Sequence, residues 1–331
     1  MKNRKKIWSA VLGAAVLIAV AGVFFAAGYW QDQMTDSALA DGESAAGQNQ
    51  EELIYYEGQA YRYRSEWMNI LFLGVDKSEP VTLQNTAGTA GQADCIMLLS
   101  LNRETKQAEI LQISRDSMTD VDIYDINGDY YTTVTAQIAA QYAYGKGEKS
   151  SCWAMEKTVS ELLFGLPIDG YLSVTVDSIG IINDAVGGVT LTLTEDCTDL
   201  DPSYTKGAVI TLDGQAAEQF VRYRETTVQG SNEQRMRRQV QYIPALIQAI
   251  KEQMGDSETY YETLYPKLAE YMVTDLTAEQ LNALGEYELN MENIAYVPGE
   301  IKAGEVNEEF HVDDEQLQQM LLERFYEPVE E

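Results

Sequence analysis

The sequence predicts a layered α/β domain held outside a membrane by a single N-terminal anchor. Three observations carry that expectation: one uncharged apolar run near the start, short continuous apolar segments of strand character, and amphipathic helical segments interleaved with them. With 331 residues, 45% of them hydrophobic, the chain has material for a sizeable core.

Residues 7–30 (IWSAVLGAAVLIAVAGVFFAAGYW) carry no charge. At about 1.5 Å per residue, such a helix spans a hydrocarbon core of about 30 Å. Lys2, Arg4, Lys5 and Lys6 precede the run and the next charged residue is Asp32, so positive-inside bias puts residues 1–6 in the cytoplasm and everything after Trp30 outside. A cleaved signal peptide is the competing reading, because Ala26-Ala27-Gly28 supplies small residues. The run is longer than a signal core of roughly 7–15 residues, which favours an uncleaved anchor.

Residues 31–66 then read as an extracellular stalk and lead-in, with 31–52 almost free of apolar side chains. A coil of that stretch spans roughly 25 Å, which keeps the folded part close to the bilayer. Strand character follows at Asn69–Val75, Cys95–Leu101, Ala108–Ile113, Tyr171–Val176 and Val189–Leu193. Helical periodicity marks Trp153–Phe164, Gly214–Tyr223, Glu233–Gln253, Glu258–Tyr271, Ala278–Tyr287 and Asp313–Phe325, the last with Asp313-Asp314 available as a cap. The continuous apolar strands suit a sheet covered on both faces. No linker interrupts residues 67–327, which read as one domain with a core over 67–255 and a helical C-terminal part over 256–327.

Charge narrows the function. The chain has 53 acidic and 23 basic residues, a formal net charge of −30. Setting aside the cytoplasmic flank leaves 19 basic against 53 acidic residues, about −34 for the external part. That balance opposes nucleic-acid binding, which relies on Lys and Arg at phosphates, and opposes a basic patch lying on anionic lipid. The single histidine, His311, excludes paired-histidine metal motifs and argues against Ser-His-Asp or Cys-His catalysis; in the run Phe310-His311-Val312-Asp313 it reads as structural. Three cysteines are too few for a disulfide scaffold, and Cys152–Cys197 is the one pairing worth testing, since Cys95 lies in a strand-like run.

Against this acidic background two groups of residues stand out. Asp76 ends the first apolar strand and Asp94 precedes the second, with a Gly/Thr/Asn-rich loop over 77–92 between them. Carboxylates there serve either as turn formers or as ligand groups, and a Mg²⁺ ion takes one or two carboxylates together with substrate phosphates. Five of the ten external arginines fall between residues 222 and 238. Arg222 and Arg224 leave a helix, and Arg235, Arg238 and Gln239 share one helical face; Arg115 ends a strand. The planar guanidinium suits bidentate phosphate binding, while ion pairing with the abundant carboxylates is the alternative.

The order of motifs resembles the LytR-CpsA-Psr family of cell-wall ligases. NILFLGVD (69–76), ADCIMLLSLN (93–102), ILQISRDSM (110–118), QYAYGKGE (141–148), GLPIDGYLSV (165–174), DAVGGV (184–189), LDGQAAEQFVRYR (212–224) and NEQRMRRQ (232–239) follow one another as in that family, strongly over 67–255. A weaker match continues through VTDLT (273–277) and VPGE (297–300). The resemblance implies a three-layer α/β/α sandwich with a central mixed sheet and a polyprenyl tunnel, lined here by Ile110–Ile113, Leu162–Leu166 and Ile179–Val186. It implies Mg²⁺-dependent transfer of a glycopolymer phosphate, such as a teichoic acid or capsule polysaccharide, from undecaprenyl pyrophosphate to the C6 hydroxyl of N-acetylmuramic acid in peptidoglycan, outside the cell membrane of a Gram-positive-type envelope. Carried over by position, Asp76 and Asp94 match the metal-site carboxylates, Arg115 a catalytic arginine, and Arg222, Arg224, Arg235, Arg238 and Gln239 the diphosphate-binding set. Phosphoryl transfer asks mainly for positioning and charge neutralisation, which fits an enzyme without a useful histidine.

The chain also departs from the family. Gly91 and Gln92 stand where an arginine is usual before Asp94, Ser114 replaces a proline, Cys95 a threonine, and Gln137-Ile138-Ala139 a Lys-Ile-Asn segment. The same residues would serve a polyprenyl-pyrophosphate hydrolase, and the missing basic residues leave room for a non-catalytic membrane-anchored binding or sensor protein.

Overall fold

A computed structural model describes residues 53–77, 88–125, 127–145, 148–225, 230–254, 268–277, 287–304 and 307–329, together with 228, 280 and 284. The expected membrane anchor at 7–30, the stalk at 31–52 and most of the expected helices at 258–271 and 278–287 lie outside these residues. No helix among the described residues is long and apolar enough to cross a membrane.

The chain begins with a hairpin, β1 (Leu53–Tyr56) and β2 (Gln59–Tyr63), so the lead-in is itself folded. Then come β3 (Trp67–Val75), β4 (Ala93–Asn102) and β5 (Gln107–Ile113). A second hairpin, β6 (Met118–Tyr124) and β7 (Tyr130–Gln137), precedes helices α1 (Ala140–Tyr144) and α2 (Glu148–Leu162). Strand β8 (Gly170–Thr175), helix α3 (Asp177–Ala185), the ribbon β9 (Val189–Thr192) and β10 (Val209–Leu212), and helices α4 (Gly214–Arg222) and α5 (Ser231–Met254) follow. The C-terminal part adds β11 (Met272–Thr274), β12 (Glu288–Tyr296), β13 (Gly299–Ala303), β14 (Glu308–Val312), α6 (Asp314–Phe325) and β15 (Tyr326–Pro328).

Six strands form the central mixed sheet in the order β11-β8-β3-β4-β5-β12. Neighbours β3/β4, β4/β5 and β8/β11 run antiparallel, whereas β3/β8 and β5/β12 are parallel. The β4–β5 turn is set by Asn102, whose Oδ1 accepts hydrogen bonds from the backbone N–H groups of Glu104 and Thr105. Both faces of the sheet are covered. On one, Leu71, Leu73, Ile96, Leu98, Leu111 and Ile113 pack with Met155 and Val159 of α2 and with Leu317, Leu321 and Phe325 of α6. On the other, Cys95, Met97 and Ile110 meet Ile243 of α5, and Ile70, Leu172 and Val174 meet Leu276, Leu284 and Tyr287. A further cluster joins α3, α4 and α5 to the β9–β10 ribbon.

Several expectations need correction. The Val189–Leu193 segment is a strand, but it pairs with β10 in a separate ribbon. Among the described residues of the C-terminal part, strands accompany the helix α6: β12 extends the central sheet with an irregular register between Leu289 and Ile294, and β13–β14 form another hairpin. Its polar sequence, ELNMENIAY, lacks the unbroken apolar run that marks buried strands. Cys152 and Cys197 are both free and buried, in different core clusters, so they do not pair. Burial pushes the Cys152 thiol up to about 12. Asp313 is the N-cap of α6, its carboxylate accepting from the Gln316 N–H. His311 lies on β14, with Nε2 at 2.9 Å from the Glu309 carboxylate.

Trp67 and Phe325 meet edge to face at 5.4 Å, pinning the end of α6 on the sheet. Phe325→Ala should destabilise the protein by about 3–5 kcal/mol, read as a lowered urea midpoint with unchanged m-value.

Candidate active site

The site grows from a fault in the β3–β4 ladder. Gly74 pairs with Cys95 but Val75 pairs with Ala93, so Asp94 is an extra residue without a partner across the ladder. Such bulges re-aim a side chain, and here the carboxylate of Asp94 becomes the hub of a charged network. Arg115, just past β5, gives a short Nη1 hydrogen bond to Asp94 Oδ1 and another through Nη2 to the Gln92 side chain. Arg235 of α5 donates Nη1 to Asp94 Oδ2 at 2.8 Å and Nη2 to Asn232 Oδ1 at 2.7 Å, one turn back on the helix. The Arg235 side chain is only 4% exposed. Burial lowers its affinity for the proton and Asp94 opposes that shift.

Behind this pair sits a second carboxylate. Asp116 lies 3.6 Å from Arg115 Nε and 3.6 Å from Arg224 Nη1, and accepts from Gln137 Nε2 at 3.1 Å. Burial raises its proton affinity, partly offset by Arg115, Arg224 and Arg235. Three guanidiniums therefore face two carboxylates, leaving a local positive excess within a strongly acidic chain.

Asp76, at the end of β3, is exposed. It exchanges backbone and side-chain bonds with Gln92: its N–H donates to the Gln92 carbonyl at 3.0 Å and its Oδ1 accepts from the Gln92 N–H at 2.6 Å. Gly91 makes this possible, with a φ of +88° and a position where a Cβ would come within 2.9 Å of Asp76 Oδ1.

Asp76 and Asp94 stand on the wall of a cavity of about 920 Å³, its open mouth included, together with Arg222, Arg235 and Gln239. The remainder of the wall is mostly apolar, with Phe72, Val174, Ile179, Ile182, Ile243 and Leu246. Arg235 Nε and Gln239 Oε1 are buried without a hydrogen-bond partner. Unsatisfied donors and acceptors beside an anion-sized network are the groups a bound ligand would complete.

The predicted residues divide into three groups. Asp76, Asp94, Arg222, Arg235 and Gln239 line the cavity, and Arg115 is held on Asp94. Arg224 lies behind them, on Asp116. Arg238 does not join: its side chain is 3% exposed, its Nε donates to the Phe220 carbonyl at 2.9 Å and its Nη2 to that of Tyr223, so it ties α5 to the end of α4. The i, i+3 spacing that grouped it with Arg235 placed it on the helix correctly but could not reveal the carbonyls already waiting there. Of the segments expected to line a tunnel, Ile179 and Ile182 line this cavity, whereas Leu111, Ile113, Leu163 and Leu166 fill the core beneath α2 and α6. Asp116, Gln92, Asn232 and Gln137 were not anticipated as network members; Asn232, three residues before Arg235, had a signal in its helical spacing.

The fold is a mixed α/β sheet with an arginine–carboxylate network beside a largely apolar cavity. The LytR_cpsA_psr family profile matches residues 29–324, and the chain belongs to that family. A teichoic acid transferase of Oceanobacillus iheyensis, named polyisoprenyl-teichoic acid–peptidoglycan teichoic acid transferase TagU, is 30% identical over 166 residues, covering 49% of this chain and 45% of the relative. The match thus spans about half of that relative's length. The TagU of Enterococcus faecalis is 24% identical over 86% of this chain and 84% of its own. Among solved structures, TagT bound to LI-WTA superposes with a TM-score of 0.56 at 20% identity, covering 78% of this chain and 89% of that one, which establishes the shared fold.

Because burial raises the proton affinity of Asp116 in the folded state, its contribution to stability is present at low pH and is lost as pH rises through the folded-state value. Asp116→Asn should therefore gain stability relative to the parent between pH 4 and pH 7, as read from denaturant midpoints at the two values.

Proposed function

We propose that this protein transfers a glycopolymer phosphate from an undecaprenyl-pyrophosphate carrier to the C6 hydroxyl of N-acetylmuramic acid in peptidoglycan, outside the cell membrane and anchored through residues 7–30. The observation that carries the reading is the placement of the Asp94–Arg115–Arg235 network beside a largely apolar cavity: one region suits a diphosphate, the other a polyprenyl chain. The names of the relatives, teichoic acid transferases, support the same substrate class.

In this reading Arg235 and Arg222 receive the diphosphate, with Arg115 and Arg224 deepening the positive field. Gln239 stands on the cavity wall with its Nε2 given to the Val221 carbonyl, which fixes the wall beside Arg222. The muramic acid hydroxyl attacks the phosphorus that carries the glycopolymer, a new C6–O–P bond forms, and the bond to the bridging oxygen breaks to release undecaprenyl phosphate. The hydroxyl proton passes to one of the two cavity carboxylates. Asp94 already accepts from an arginine on each oxygen, whereas Oδ2 of Asp76 has no protein partner among the described residues, so we assign proton acceptance to Asp76. The two cavity carboxylates also fit the small donor set that Mg²⁺ takes from proteins: Asp94 would hold it through the lone pairs its arginines leave free and Asp76 through Oδ1, so that Oδ2 of Asp76 would stay free for the proton. When bound, the ion supplies further neutralisation of phosphate charge. Low-dielectric walls strengthen each of these contacts.

The test is to incubate the protein with Mg²⁺, a lipid-linked saccharide pyrophosphate and peptidoglycan oligomers. Saccharide phosphate covalently attached to the glycan supports transfer; free saccharide phosphate alone indicates a hydrolase, and binding without turnover a sensor. Asp94→Ala and Arg235→Ala should each lower transfer by about 10²–10³-fold, the scale of losing one preorganised charge-stabilising group. Near-normal rates in either variant would sink the site assignment.

A further inference from the structure

The end of helix α4 is capped by side chains of helix α5. The final turn of an α-helix leaves carbonyls without a partner in the helix, and they must find one elsewhere. In α4 the Gln219 carbonyl accepts from the Tyr223 N–H, which continues the helical pattern. The carbonyls that follow are claimed from outside. Arg238 Nε donates to that of Phe220 at 2.9 Å, Gln239 Nε2 to that of Val221 at 3.1 Å, and Arg238 Nη2 to that of Tyr223. Consecutive residues of one helix thus close the end of another.

A buried cation is a demanding cap. The Arg238 side chain is 3% exposed, so its charge needs compensation within the protein. Asp199 Oδ2 lies 3.7 Å from Nη1, and the guanidinium carbon stands 6.0 Å from the centroid of the Tyr223 ring. The negative end of the α4 dipole adds to both. A lysine would bring the same charge as a point, whereas the planar fork meets two carbonyls in one orientation. The fork therefore fixes where the end of α4 lies.

What α4 presents at that end is Arg222, its last residue and part of the cavity wall. Arg222 Nη1 donates to Glu218 Oε1 at 2.6 Å, one turn back on the same helix. That bond moves with the helix and does not hold Arg222 against the rest of the site. Arg224 differs, having its own anchor in Asp116 at 3.6 Å. The other cavity arginine, Arg235, comes from α5, one turn before Arg238. The spacing of the two cavity arginines is thus the spacing of two helices, and Arg238 joins those helices beside Arg222. The opposite end of α4 is pinned as well. Asp184 Oδ1 accepts from the Gly214 N–H at 2.6 Å, and Tyr242 of α5 donates to Asn183, which donates to the Leu212 carbonyl.

We propose that Arg238 is a positioning residue for the reaction: its guanidinium holds the end of α4 so that Arg222 meets the diphosphate at a fixed distance from Arg235. The role of Arg222 rests on the transferase reading above; the coupling between Arg238 and Arg222 is measured separately from it. The test is a double-mutant cycle on the full chain in nanodiscs, with Mg²⁺, a lipid-linked saccharide pyrophosphate and peptidoglycan oligomers. Arg238→Lys should lower kcat/KM for the donor by about 10–100-fold, the scale of a small misplacement of a binding group. In an Arg222→Ala background the same change should lower it by less than about threefold, because the group it positions is already gone. Urea midpoints check folding, and Arg238→Gln, which keeps one amide donor, repeats the cycle where the lysine variant does not fold. Equal losses in the two backgrounds overturn the proposal and leave Arg238 a stabiliser of the fold, as does failure of both Arg238 variants to fold. Normal transfer by a folded Arg238 variant ends the positioning inference alone. Where the parent binds the donor without transferring it, the cycle is read on donor affinity: coupling there supports positioning while ending the transferase reading, and additivity ends both. A parent that neither binds nor transfers the donor also overturns both.

Discussion

One carboxylate organises the site. Asp94 gives one oxygen to Arg115 and the other to Arg235, and in doing so connects the bulge in β4 to the end of β5 and to helix α5. The guanidinium of Arg235 is almost wholly buried, and a charge in that position is tolerated only while it is paired. Breaking such a pair typically costs about 3–5 kcal/mol, because the remaining charge is stranded in a poor solvent. The helix is therefore held in place by the same contact that fixes the geometry of the arginine–carboxylate network. Stability and chemistry share one interaction, and a substitution there disturbs both.

The network also works against its surroundings. A chain of formal charge −30 sets up a field that repels anions, and a diphosphate is a strong anion. Partial burial protects the arginine cluster from that field and from screening by salt. Arg222, nearly half exposed and paired with Glu218, occupies the boundary between the two environments. Asp116 moderates the cluster from behind, balancing Arg115 and Arg224 so that the excess of positive charge is small and directed toward Asp94 and the cavity.

Much of this was legible in the residues. Strands β3, β4, β5 and β8 announced themselves because a sheet buried on both faces needs unbroken apolar runs, and the helices α4, α5 and α6 because each shows one apolar stripe. What stayed hidden depended on partners distant in sequence. Strand β12 is polar and owes its place to β5, nearly two hundred residues earlier. The hairpin β6–β7 is rich in threonine and aspartate, with no apolar rhythm to betray it. Within the site, type and spacing identified Asp76, Asp94 and the arginines, but only the folded chain separates Arg235, which faces the cavity, from Arg238, which is consumed by two carbonyls. Gln92 and Gln137 stand where the family resemblance leads one to expect basic residues, and both join the network through their amides: Gln92 accepts from Arg115, and Gln137 donates to Asp116.

The three-stranded sheet β1-β2-β15 has a mechanical meaning. It pairs the first described strands with the last, Tyr63 against Tyr326 and Tyr61 against Pro328, and Arg62 is clamped to Glu327 across the same ladder. The first and last described strands are thereby fastened side by side in a sheet separate from the one that carries Asp76 and Asp94. Tension applied through the segment before residue 53 meets this clasp first, and meets it in the company of the C-terminus. The six-stranded sheet carries the load only after the clasp has opened. A pull on the segment before residue 53 can in this way be absorbed at the seam while the register of Asp76 and Asp94 stays undisturbed.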